Sequence, residues 1–146
     1  MESRSQMKID QYFLDSSYAI ALVTSDDLHH ERAVELSFKI QRDRVELITT
    51  RPILLEIGNS LARRSRRKCG LDLLQQMSVD RKLTLVELSA GLYDTALGLF
   101  SERMDKEWGL VDCVSFVVMR EHHVETALTA DRHFVQAGFR ALLRET

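Results

Sequence analysis

The 146-residue chain is poor in the residues that break or staple a fold: one proline, six glycines, two cysteines and one tryptophan. Cys69 and Cys113 lie far apart and form no CxxC pair. That excludes a disulfide scaffold and a zinc finger, and it suits a reducing cytoplasm. No segment is rich in Pro, Gly or Ser, so no linker or low-complexity tract divides the chain. The apolar stretch at residues 16–25 is too short to span a bilayer, and Asp15 just before it argues against a signal-peptide core. Charge of one sign is also lacking: 20 Lys and Arg stand against 22 Asp and Glu, a net of −2. Coating nucleic acid by bulk electrostatics is excluded, but a local basic site is not. No Walker loop, GxGxxG or GxSxG occurs, so the nucleotide-cradling and serine-hydrolase readings lack their mechanics.

What is present is a run of short apolar segments separated by helical patterns. With 45% hydrophobic residues, this length buries a core without staples, and residues 1–146 read as one domain with residues 1–8 as a frayed lead-in. Strands are expected at residues 12–14, 45–49, 83–88, 125–129 and 139–143. Helices are expected at residues 18–23, 28–43, 52–62, 66–77 and 94–108. Ala33, Leu36 and Ile40 share one helical face. Pro52 fits the first turn of its helix, where its missing N–H costs nothing. Residues 113–119 (CVSFVVM) are apolar on nearly every side, so helix and strand both remain open. Strands alternating with helices imply crossovers, hence an α/β fold, a three-layer α/β/α sandwich around a mainly parallel sheet.

In such sheets ligands bind beyond the carboxyl ends of the strands. Four carboxylates sit there by sequence. Asp15 follows the first strand. Glu56 lies one turn into the helix after the second. Asp112 stands at the start of the apolar 113–119 segment, and Asp131 follows the fourth strand. Each Asp has a plain alternative as a helix N-cap, worth about 1 kcal/mol. Glu56, set among Ile53, Leu54, Leu55 and Ile57, needs a partner if buried. Two carboxylates roughly 4 Å apart repel by about 4 kcal/mol at an effective dielectric of about 20. Four converging ones therefore imply cations, and all-oxygen ligands favour Mg²⁺ or Mn²⁺. Ser17 and Thr129 are placed to orient Asp15 and Asp131. Asn59 and Ser60 share the face of Glu56, where Asn59 can bond a water.

The run Arg63-Arg64-Ser65-Arg66-Arg67-Lys68 carries five cations in six residues. It reads either as a solvated helix junction or as a contact to a phosphate backbone beside the acidic centre. The pairs His29-His30 and His122-His123 read as surface residues, since neighbours on a helix diverge. His133 follows Asp131 closely enough to face the site, but the preferred reading is that it packs locally. A phosphoryl-transfer enzyme of the haloacid-dehalogenase type needs an Asp two residues after its nucleophile, and here Ser17 stands there.

Tyr12-Phe13-Leu14-Asp15-Ser16-Ser17, the 50–61 segment with Glu56, Trp108-Gly109-Leu110-Val111-Asp112-Cys113 and Leu128-Thr129-Ala130-Asp131-Arg132-His133-Phe134 occur in order along nearly the whole chain. Together they resemble the four motifs of PIN domains, and the size resembles small VapC-like proteins. Ser16 departs from the commoner Thr. The resemblance implies a Mg²⁺- or Mn²⁺-dependent ribonuclease with Asp15, Glu56, Asp112 and Asp131 as its catalytic and metal-binding quartet. It also implies a cytoplasmic toxin of a toxin–antitoxin pair, with RNA as substrate, an antitoxin as a protein partner, a homodimeric state and no membrane. The alternative is a PIN-fold module that binds RNA or protein without cutting.

Overall fold

Residues 9–145 are described by a computed structural model of the chain; the expected lead-in at residues 1–8 lies outside them. Five strands form one sheet: β1 (Gln11–Leu14), β2 (Glu46–Thr50), β3 (Leu83–Val86), β4 (Thr126–Leu128) and β5 (Arg140–Ala141), in the order β3-β2-β1-β4-β5. Every pairing is parallel, with Phe13 beside both Ile48 and Ala127. Parallel neighbours require crossovers. From β1 the chain passes through α1 (Ser16–Val23) and α2 (His30–Asp43) to β2, then through α3 (Arg51–Ser60) and α4 (Arg64–Val79) to β3. It returns across the sheet through α5 (Ala90–Glu102) and α6 (Leu110–Glu121) to β4, and α7 (Arg132–Gln136) leads to β5. The strand order reverses between β1 and β4. Right-handed crossovers therefore put α1–α4 on one face and α5 and α6 on the other, and the sandwich expected from the sequence is the one that forms.

Residues 113–119 resolve as helix: they form the middle of α6 and are all buried, pressed between the sheet and α5. A helix covered on two sides has no polar face to show, which is why its periodicity was silent. Its Phe116 meets Phe134 and Trp108 edge-on at 5.0 Å each, and Phe13, Ile48, Ile53 and Leu128 complete the core around it.

The expected helix over 94–108 begins and ends earlier. Ser89 accepts the Leu92 N–H and starts α5 at Ala90, a stronger cap than any residue near Asp94. The helix stops at Glu102, where Arg103 turns to pair with Asp105 and lays its guanidinium 4.9 Å over the Trp108 ring. The last expected strand shortens to β5, because Leu142–Arg144 tightens into a 3₁₀ turn packed against β4.

Candidate active site

The β1/β4 junction is the switch point of the sheet, and the chain leaves both strands there. The Asp15 N–H donates to the Leu128 carbonyl at 3.2 Å, which locks the two strand ends side by side. Asp15 occupies the N-cap position of α1 but makes no side-chain cap. Instead its Oδ2 accepts from Thr129 Oγ1 at 2.7 Å and from Ser17 Oγ at 2.9 Å. Ser17 and Thr129 thus both hold Asp15. Thr129 had been expected to orient Asp131; its contact there is with the main chain, as Asp131 N donates to Thr129 Oγ1 at 3.0 Å.

The other three acids follow one pattern. Glu56 Oε1 accepts from Ser16 Oγ at 2.9 Å, so Ser16 does the work of a donor across 40 positions of sequence. Asp112 Oδ2 accepts the Gly109 N–H at 3.0 Å and lies 3.0 Å from His133 Nδ1. Asp131 Oδ1 caps α7 by accepting the His133 N–H at 2.9 Å. The N-cap alternative therefore holds for one oxygen of Asp131; Asp112 is instead the third residue of its helix, its side chain reaching back to the N–H of the N-cap Gly109. In each carboxylate one oxygen takes the hydroxyl, amide or imidazole donors named above, and Asp15 also receives a main-chain bond from Ser16. Fixed donors of this kind orient carboxylates toward a metal.

Asp112, Asp131 and His133 offer ligand atoms that all lie within 4.8 Å of one another. Asp15 and Glu56 stand outside that tight group, yet the charge of Asp112 acts on Asp15, and Asp15, Asp112 and Asp131 all act on Glu56. Burial, foremost, raises the pKa of Asp15, Glu56 and Asp112; the hydroxyl and amide donors partly offset it. Burial and mutual repulsion both disfavour the charged forms. A divalent cation relieves both, and carboxylate oxygens are the donors a hard cation prefers.

Asn59 is exposed and, among the described residues, makes no hydrogen bond to the acidic group. The expectation that it supports Glu56 finds no contact among the described residues. His133, read from sequence as packing locally, is at the centre of the site. Only its place two residues after Asp131 hinted at this. The basic run forms the start of α4. Arg66 pairs with Asp26 at 3.3 Å and Lys68 with Asp72 at 2.6 Å, while Arg67 donates to the Ala62 carbonyl at 2.8 Å. Among the described residues Arg63 and Arg64 form no ion pair, and both are exposed.

The PIN domain family model matches residues 12–140. No curated protein matches the chain. Among solved structures, VapC20 of Mycobacterium tuberculosis, a sarcin–ricin loop cleaving toxin, superposes with a TM-score of 0.77 at 23% identity, covering 88% of this chain and 95% of its own. VapBC2 of Rickettsia felis, bound to a DNA fragment from its promoter, gives a TM-score of 0.62 at 13% identity over 90% of this chain and 96% of its own. With the sheet order, the acidic switch point and a model match over most of its length in agreement, the chain belongs to the PIN domain family.

Proposed function

We propose that the protein is a Mg²⁺- or Mn²⁺-dependent ribonuclease that hydrolyses RNA phosphodiesters, and that it is the toxin of a toxin–antitoxin pair acting in the cytoplasm. The observation that carries this reading is the acidic switch point, where four carboxylates from four elements each have one oxygen tied to a fixed donor. Membership of the PIN family and the likeness to a sarcin–ricin loop cleaving toxin support it. In this reading residues 1–146 work as one domain, and an antitoxin covers the site. The molecule is a homodimer, for which the exposed Tyr93, Leu97 and Phe100 of α5 offer apolar surface.

Asp15 and Asp112 hold the cation directly, and Glu56 and Asp131 complete the set. Bound there, a divalent cation supplies charge neutralisation for the phosphate and a lowered pKa for water. The residues do the rest. Ser17 and Thr129 keep Asp15 from rotating, and Ser16 aims Glu56 so that its second oxygen can accept a proton from an attacking water. Arg63 and Arg64, with Arg66, Arg67 and Lys68 behind them, guide the RNA backbone.

The test is cleavage of total RNA by the pure protein, with end-mapping of the products. Asp15→Asn, its fold checked by circular dichroism, is expected to lose activity by about a hundredfold or more, since even outer-shell changes cost roughly ten- to a hundredfold. EDTA is expected to abolish cleavage. RNA binding that persists with neither EDTA nor carboxylate variants having any effect would instead establish the non-catalytic binding module.

A further inference from the structure

His133 touches both members of the tight acidic pair. Its backbone N–H donates to Asp131 Oδ1 at 2.9 Å, and its ring Nδ1 lies 3.0 Å from Asp112 Oδ2 and 3.4 Å from Asp131 Oδ1. An ionised carboxylate only accepts hydrogen bonds, so Nδ1 carries the proton and donates to Asp112. The two acids come from different elements, the first turn of α6 and the cap of α7, and their like charges push them apart. The imidazole bridges them. Its side chain is 20% exposed, as is that of Asp112, so water competes little for the bond. The contact leaves Asp112 Oδ1 and Asp131 Oδ2 without a protein donor among the described residues.

We infer that His133 is a positioning residue: by its Nδ1–H and its backbone N–H it holds Asp112 and Asp131 in the metal-ready arrangement before any cation arrives. The inference rests on the metal-dependent reading of the site given above. Mn²⁺ is the probe, titrated into the whole protein by calorimetry, for the parent, His133→Ala and His133→Asn. An Asn amide can replace the Nδ1–H donor, whereas Ala cannot. His133→Ala is expected to weaken Mn²⁺ binding roughly ten- to a hundredfold, with His133→Asn restoring it to within about threefold of the parent, a small remainder for a kept donor. Circular dichroism of all three is expected to coincide. Pulsed electron paramagnetic resonance of bound Mn²⁺ is expected to show no directly coordinated nitrogen. Parent-like affinity in His133→Ala overturns the positioning role and leaves the metal site standing. A coordinated ¹⁴N signal also overturns it, by making His133 a ligand. A parent that binds no Mn²⁺ removes the metal reading itself, and the positioning role with it.

Discussion

At the scale of single residues, the site sets charge against burial. Asp15 is only 6% exposed and is held by two hydroxyls rather than by a cation-bearing side chain. Burial, the largest cause, raises its pKa. A raised folded-state pKa means that protonation favours the fold. That contribution is complete below the ordinary carboxylate range and is lost as pH climbs through the raised value. Asp15→Asn keeps the shape and removes the charge. Without divalent cations it is expected to melt a few degrees above the parent at neutral pH, and the gap is expected to close on acidification. Added Mn²⁺ is expected to raise the melting temperature of the parent and not of the variant. A variant that melts below the parent across the whole range would show that the hydrogen bonds of the carboxylate outweigh its burial. Asp15, Glu56, Asp112 and Asp131 stood out as single residues because three lie at a strand end or a helix start and Glu56 sits among apolar neighbours one turn into its helix. Ser16 and His133 did not, since their bonds reach across 40 and 21 positions to partners that only the fold brings near.

At the scale of elements, the junction of α3 and α4 decides where the basic run points. The two helices approach so closely at Gly70 that a Cβ there would sit 2.8 Å from Leu61 Cβ. Leu61 is itself buried and follows α3 directly, so it cannot swing aside. Gly70→Ala is expected to cost about 1–3 kcal/mol of stability by overpacking, measured by denaturant unfolding. A neutral result would mean that α4 slides freely, and with it the cations at its start. The boundaries of α5 show where sequence reading fell short at this scale. The cap at Ser89 and the turn at Arg103 are set by hydrogen bonds and a cation–π contact, and neither leaves a mark in hydrophobic periodicity.

At the scale of the whole molecule, near-neutral net charge hides an uneven distribution. Acidic groups gather at the β1/β4 switch point, while the cations of α4 lie beside Asp26 and Asp72, which neutralise Arg66 and Lys68. Arg63 and Arg64 are therefore the arms freest to meet a phosphate. Changing both to Ala is expected to weaken RNA binding and to reduce the slope of log K against log salt by about one to two. Lys68→Ala is expected to change that slope little. An unchanged slope in the double variant would place the RNA path elsewhere. The proposed homodimer is open to light scattering at micromolar concentration. Leu97→Glu on α5 is expected to leave monomers, and a parent that is already monomeric removes the proposal.

Sequence alone determined the α/β class and the alternation of elements, and it drew attention to four acids, because those depend on local periodicity and on which residue types lie near strand ends and helix starts. Tertiary structure decided the rest: that residues 113–119 are helix, that Asp112 and Asp131 meet across one imidazole, and that Ser16 reaches Glu56. The physical reason is the same each time. Burial on two sides erases periodicity, and a hydrogen bond between remote residues exists only once the sheet has brought β1 and β4 together.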